Sequence, residues 1–327
     1  MQNKTDYESG NIKFYFELSI VHRPRSTIYG LWTVDYRLTA ILPPNQKQMQ
    51  LYSIETGYFK LDGGAMFGVV PKSLWNRTNP ADENNLCTWA MRCLLIQTED
   101  RLILVDNGIG NKQDDKFLRH YYLHGDDTLE KSLAKHGFGK DDITDVFLTH
   151  LHFDHCGGSV AWNRDHTGYE MNFKNATYWS NERHWLWATE PNRREKASFL
   201  KENILPIQES GQLKFIGDEG NWIPGIDILF ANGHTDAQMI PKIQYKDKTL
   251  VFMADLLPSV GHFPLPFVMG YDTRPLLTLD EKDKFLKEAT DKDYILMFQH
   301  DSVNECCTVM NTDKGARADR VLRLSDL

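Results

Sequence analysis

A chain of 327 residues is long enough for one large domain or two small ones around a sizeable core. Its formal charge of -8 argues against a broad contact with a nucleic-acid backbone, which needs clustered Lys and Arg, and no apolar run reaches membrane-spanning length. The five cysteines form no CxxC pair or disulfide framework, and the N-terminus MQNKTDYESG lacks the basic and apolar stretches of a secretion signal, so a reduced, cytoplasmic protein is expected.

Residues 1–48 begin polar, carry weakly alternating aromatic and β-branched residues, and end at the breaker Pro43-Pro44-Asn45. They read as an N-terminal extension, loosely ordered or docked, ahead of a domain spanning 49–327. From Met49 the pattern becomes regular, with a first strand around Leu51–Phe59. Strand-length apolar runs follow at Cys93–Ile96, Leu102–Val105, Val146–Leu148, Ile226–Phe230, Leu250–Met253 and Tyr294–Phe298. Helices are expected over Thr128–His136, Arg193–Asn203 and Leu279–Ala289, the last with Thr278 as N-cap and Glu281 closing a capping box. Alternating strands and helices place the chain in the α/β class.

Between these elements lie less informative segments. Gly63–Gly68 reads equally as a glycine-rich turn and as a rim over a site, with Met66 and Phe67 touching substrate. The aromatic residues between Trp162 and Trp187 suit core packing, with one or two of them lining an apolar pocket. Arg193-Arg194-Glu195-Lys196 reads as a solvated helix face. Cys156, Cys306 and Cys307 read as buried filler.

The stretch THLHFDHCGG, Thr149 to Gly158, places three histidines and an aspartate within six positions, directly behind an apolar run. Alternate side chains of a strand share a face, so His150 and His152 can point together as the chain leaves a sheet. Asp154 and His155 follow where the chain turns, helped by Gly157-Gly158. Imidazole and carboxylate are favoured zinc ligands. Other runs end the same way: Ile228-Leu229-Phe230 leads to His234, Val251-Phe252-Met253 to Asp255, Leu296-Met297-Phe298 to His300, and Leu102–Val105 to Asp106. Ligands at the ends of neighbouring strands converge in space although they are distant in sequence. Two adjacent ions suit this donor set better than one.

HLHFDH matches the HxHxDH signature of the metallo-β-lactamase superfamily, and Gly-His-Thr at 233–235, Asp255 and His300 match its remaining ligand positions in order. The chain resembles that family from about Met49 onward, most closely its lactonase and methyl parathion hydrolase-like branch. The resemblance implies an αβ/βα four-layer sandwich with the site along one edge. It implies one metal held by His150, His152 and His234, and a second by Asp154, His155 and His300. Asp255 would bridge them together with a water or hydroxide. Two zinc ions per chain are expected, and iron, manganese or cobalt suit the same nitrogen and oxygen donors.

The implied reaction is hydrolysis, with Asp154 and Asp255 as the catalytic carboxylates, Asp154 also orienting the nucleophile. Asp106 is expected behind a ligand histidine. Tyr271 and His262 are candidates for the leaving-group proton. Lactonases of this branch carry a tyrosine three residues after the bridging aspartate, where this chain has Pro258. The expected substrate is a small lactone or related ester, with organophosphate triesters as the alternative. A non-catalytic metal-stabilised binding protein is the alternative from another class. A nuclease is disfavoured by the acidic charge. Neither nucleic acid nor membrane is an expected partner, and a homodimer is compatible with the sequence.

Overall fold

The computed structural model describes residues 49–327; the expectation for residues 1–48 lies outside them. Fifteen strands are formed by the described residues: β1 (Gln50–Asp62), β2 (Leu86–Gln97), β3 (Leu102–Val105), β4 (Asp145–Phe147), β5 (Val160–Trp162), β6 (Tyr169–Met171), β7 (Thr177–Ser180), β8 (Leu213–Phe215), β9 (Gly220–Ile223), β10 (Ile226–Ala231), β11 (Gln238–Tyr245), β12 (Lys248–Phe252), β13 (Ile295–Met297), β14 (Cys306–Thr312) and β15 (Gly315–Leu322). Six of them make one sheet in the order β1-β2-β3-β4-β7-β8, seven make a second in the order β15-β14-β13-β12-β11-β10-β9, and β5 and β6 form a small hairpin.

The period of two in the apolar runs explains the layering. In β3, Ile103 and Val105 join the core shared with the second sheet, whereas Leu102 and Leu104 join the core under the helices. Phe147 and its neighbours Val146 and Leu148 divide the same way. A strand buried on both faces needs apolar residues at every position, which is why these runs are continuous rather than alternating. The same cluster continues through the second sheet, by way of Leu250, Val251, Phe252 and Leu296, to Phe285 and Leu286 of the helix Pro275–Asp291. The result is the helix–sheet–sheet–helix sandwich.

Strands β3, β4, β7 and β8 run parallel, as do β12 and β13. Strand β10 shares their direction with β12 because β11 is antiparallel to both. The segments after β3, β4, β10, β12 and β13 therefore emerge on one edge. There the two sheets are tied by Met239 N–H donating to Thr149 O at 2.8 Å and Ala90 N–H donating to His300 O at 3.1 Å.

Two helices differ from expectation. The Arg193–Asn203 helix is replaced by a turn followed by a helix over Lys201–Glu209. Asn192 Oδ1 accepts from the backbone of Arg194 and Glu195, a local bond that competes with helix formation. The last helix starts at Pro275 and runs to Asp291, so Thr278 lies inside it. Glu281 does not close a capping box: its carboxylate accepts from Asn232 N and Gly233 N, the turn leading to His234. Gly233 is required there, since a Cβ would lie 2.3 Å from Thr278 N. Gly63–Phe67 is one helical turn capped by Asp62, whose Oδ1 accepts from Ala65 N at 2.8 Å.

Candidate metal centre

Each candidate ligand sits just beyond a strand. After β3, Asp106 takes a left-handed φ of 57°, and after β12 Ala254 takes 41°, so the chain kinks beside Asp255. Such conformations are sparsely populated by non-glycine residues and persist where the surroundings enforce them. His150 follows β4 and Leu148-Thr149. His152 precedes the one-turn helix Phe153–Cys156, which carries Asp154 and His155. The turn beyond is closed by Gly158, whose Cβ would meet Asn107 O at 2.3 Å.

The seven side chains meet in two groups. One comprises His150, His152, His234 and Asp255; the other comprises Asp154, His155 and His300. All seven are buried. In the first group His152 Nδ1 lies 3.1 Å from His150 Nε2 and 3.2 Å from His234 Nε2. In the second, His155 Nε2 and His300 Nε2 are 3.3 Å apart, and Asp154 Oδ2 is 3.7 and 3.8 Å from them. Asp255 reaches both groups: Oδ2 is 3.0 Å from His234 Nε2 and Oδ1 is 3.0 Å from His300 Nε2.

The outward nitrogens are engaged. His155 Nδ1 faces Asp106 Oδ2 at 2.9 Å, and His234 Nδ1 faces Asp272 Oδ1 at 2.9 Å. His152 Nε2 faces Glu195 Oε1 at 3.3 Å, and His300 Nδ1 faces the Ala90 carbonyl at 2.8 Å. An imidazole that donates from its outer nitrogen turns a lone pair inward. His300 Nε2 then confronts Asp255 Oδ1, a buried oxygen with no hydrogen-bond partner. Two acceptors 3.0 Å apart in a buried site fit a cation between them.

The electrostatics fit the same group of ions. Burial, with His155 and His152 nearby, holds His150 well below the ordinary imidazole range, so it is a neutral donor. Burial also opposes charge on His155, yet Asp154, Asp255 and Asp106 outweigh it and hold that ring well above the range. Burial is likewise outweighed at His234, which Asp255 and Asp272 lift to about 10. Carboxylates that favour an imidazolium favour a divalent cation by the same attraction.

The centre opens into a cavity of about 350 Å³. Leu61, Met66, Phe153 and Met269 give it apolar walls; Tyr121, Tyr271 and Arg194 add polar groups. Of the four residues expected to touch substrate, Met66 and Tyr271 line this cavity, and the structure does not bring Phe67 or His262 to it. Phe67 is fully buried, stacked on His262 with ring centroids 4.3 Å apart. Both ring nitrogens of His262 are occupied: Nδ1 accepts from Ser259 Oγ at 2.8 Å and Nε2 donates to Met66 O at 2.9 Å. Burial pushes this imidazole down to about 3. A neutral, fully bonded histidine outside the cavity has no proton to deliver there.

Arg193-Arg194-Glu195-Lys196 forms a turn rather than a helix face; Arg193, Arg194 and Lys196 are exposed as expected, whereas Glu195 is buried. Arg194 lines the cavity and donates from Nη2 to Gly270 O, and Glu195 is buried against His152. None of the aromatic residues between Trp162 and Trp187 lines the cavity. Cys156, Cys306 and Cys307 are buried. Pro258, which stands where a tyrosine was expected in a lactonase of this branch, accepts from His300 N at 3.2 Å through its carbonyl, so that position supports the backbone of a candidate ligand. Tyr121, Asp272 and Glu195 carry no signal in the sequence: none ends an apolar run, and Glu195 is disguised by flanking charges.

Residues 92–300 match the model of the metallo-beta-lactamase superfamily. The chain belongs to that superfamily and is a metal-dependent hydrolase. It is similar to an N-acyl homoserine lactonase of Bacillus cereus, 25% identical over 271 residues covering 78% of this chain and 94% of the relative. A solved probable metal-dependent hydrolase from Staphylococcus aureus superposes with a TM-score of 0.77 at 29% identity, covering 86% of this chain and 99% of that one. The fold is shared with AidC, a dizinc quorum-quenching lactonase solved with its product N-hexnoyl-L-homoserine, at a TM-score of 0.70 and 22% identity over 86% of this chain and 97% of that one. Among the described residues no helix is long and apolar enough to cross a membrane.

Proposed function

We propose that the chain is a two-metal hydrolase that opens lactones or related small esters. The observation that carries this reading is one carboxylate, Asp255, with an oxygen in each of two ligand groups at the floor of an apolar-walled cavity. The similarity to N-acyl homoserine lactonases supports the lactone class. Zinc is the expected metal, because three-imidazole and mixed imidazole–carboxylate sets suit it.

Divalent ions bound there would polarise a carbonyl and ionise a water near neutral pH. The chain's own residues do the rest. His150, His152 and His234 form one half of the floor and Asp154, His155 and His300 the other, while Asp255 joins them. Asp154 faces the cavity, where it can accept a hydrogen bond from the attacking water and orient it. Asp106 fixes the ring of His155. Leu61, Met66, Phe153 and Met269 receive the apolar part of the substrate and exclude bulk water. Tyr121 and Tyr271 provide hydroxyls on the cavity wall, facing an alkoxide leaving group.

The test is a pH-stat panel of lactones, aryl esters and neutral phosphate triesters with zinc-loaded protein and with His152→Ala. Lactone turnover that His152→Ala abolishes is expected. Turnover of triesters alone would replace the lactone assignment with the organophosphate reading. Absence of turnover on every substrate by zinc-replete protein would remove the catalytic reading.

A further inference from the structure

The two ligand groups carry their negative charge differently. Asp154 belongs directly to one group, and Asp106 stands behind its His155. The other group has three imidazoles and shares Asp255. Its remaining negative charge lies one step back, with Asp272 behind His234 and Glu195 behind His152. His150 and His300 are backed by uncharged groups, Thr149 Oγ1 at 3.1 Å and the Ala90 carbonyl at 2.8 Å.

Glu195 is built into this position. It is only 3% exposed, and its Oε2 accepts from Trp187 Nε1 at 2.7 Å and Asn192 Nδ2 at 2.6 Å, leaving Oε1 for His152 Nε2. The turn that carries it is pinned beside the ligand loop by Phe153 N–H donating to Ser198 O at 3.0 Å.

We propose that Glu195 is a positioning residue that sets the affinity of the His150–His152–His234 group for its divalent ion, so that removing its charge releases that ion before the one at Asp154–His155–His300. His152 meets the metal position through Nδ1, which requires the ring proton on Nε2. Glu195 accepts that proton, fixes tautomer and ring orientation, and makes Nδ1 a stronger donor. Asp272 does the same for His234, but nothing else charged lies behind His152. The inference rests on the two-ion reading above.

The test uses the full chain loaded with zinc and equilibrated against graded chelator, with metal counted per chain. The parent is expected to retain two ions where Glu195→Gln has fallen to one, its weaker site shifted by about 10- to 100-fold. Cadmium-113 spectra of cadmium-loaded protein identify the site: Glu195→Gln and Asp154→Asn should each deplete a different one of the two resonances. Glu195→Asp, which keeps the charge, should lie between parent and Gln variant. In metal-free Glu195→Gln the amide oxygen can still accept from Trp187 Nε1 and Asn192 Nδ2, while the amide nitrogen donates to His152 Nε2 in its other tautomer, so this variant and the metal-free parent should unfold at the same midpoint. Equal weakening of both ions, loss of the Asp154-side ion first, unchanged retention, or a destabilised metal-free variant would overturn the inference while leaving the two-ion reading intact. A parent that holds at most one ion would overturn that reading and this inference with it.

Discussion

Asp106 Oδ2 lies 2.9 Å from Nδ1 of His155, and the same buried carboxylate accepts from Thr149 N, Thr149 Oγ1 and Gln299 Nε2. One side chain thus joins the ends of β3, β4 and β13 beneath the second ligand group. Asp106→Asn keeps the volume but exchanges one acceptor oxygen for a donor and removes the charge. Metal affinity at the His155 group is expected to fall about 10- to 100-fold. Stability should fall by about 2 kcal/mol, because at least one buried donor loses its acceptor. Metal titration and urea unfolding check the two effects separately, and a variant with unchanged metal affinity would remove the orienting role.

His262 gives a pH dependence with a defined sign. Its folded value is held near 3 by burial, whereas an unfolded histidine titrates near 6.5. Between those values the unfolded chain binds a proton that the folded chain does not, so stability falls as pH drops through that window. From pH 7 to pH 5 this one ring should cost about 2 kcal/mol. His262→Gln can still donate to Met66 O and accept from Ser259, and it does not titrate. Urea unfolding at pH 7 and pH 5 should show a smaller acid loss for the variant than for the parent. Equal losses would mean the folded ring protonates without penalty.

Lys282 is 1% exposed, and its ammonium donates to His262 O at 3.0 Å, Pro264 O at 3.1 Å and Phe267 O at 2.9 Å. Three donors thus meet three carbonyls of the segment that follows Asp255. Lys282→Met fills similar space but leaves those carbonyls unpaired, at a cost of about 3 kcal/mol if only part of the penalty is relieved by water. Calorimetric or urea unfolding should show that loss. A change under about 1 kcal/mol would mean the segment is held by other contacts.

The legible part of the fold was the doubly buried strands. Continuous apolar runs such as Leu102–Val105 and Leu250–Met253 can be nothing but core, and the residues after them fall on one edge once the strands share a direction. The candidate ligand set was legible for the same reason, since every one of its histidines and aspartates follows such a run. Strands β8, β9 and β15 were not legible, because they are partly exposed and carry no unbroken apolar pattern. The residues behind the ligands were hidden by another cause. Asp272 and Glu195 sit in irregular segments, and each meets a histidine distant in sequence, His234 and His152, so no local pattern marks them. Gly63–Phe67 shows the limit of reading side chains without a backbone: one turn of helix sends Met66 to the cavity and its neighbour Phe67 into the core beside His262.

An alkoxide leaving group needs a proton donor on the cavity wall. Tyr271 and Tyr121 both line the cavity, and neither hydroxyl bonds to a side chain or backbone group among the described residues. Burial raises both phenols, Tyr121 to about 12, and Asp154 adds to the rise in each, so both keep their protons across the neutral range. Tyr121 is braced by Phe153 and Phe117, with ring centroids 4.7 and 5.0 Å away, whereas Tyr271 is 40% exposed at the mouth. A braced phenol holds one orientation and suits a step that needs a fixed donor. Tyr121→Phe should therefore lower kcat by about 100-fold, the low end for loss of an acid catalyst, with KM little changed. Tyr271→Phe should act mainly on KM. The distinction is sharpest with two substrates, because a leaving group that departs without protonation, such as an electron-poor phenolate, should make the Tyr121→Phe defect disappear. A defect of the same size for phenyl esters and for alkyl lactones would show that the hydroxyl does not serve the leaving group.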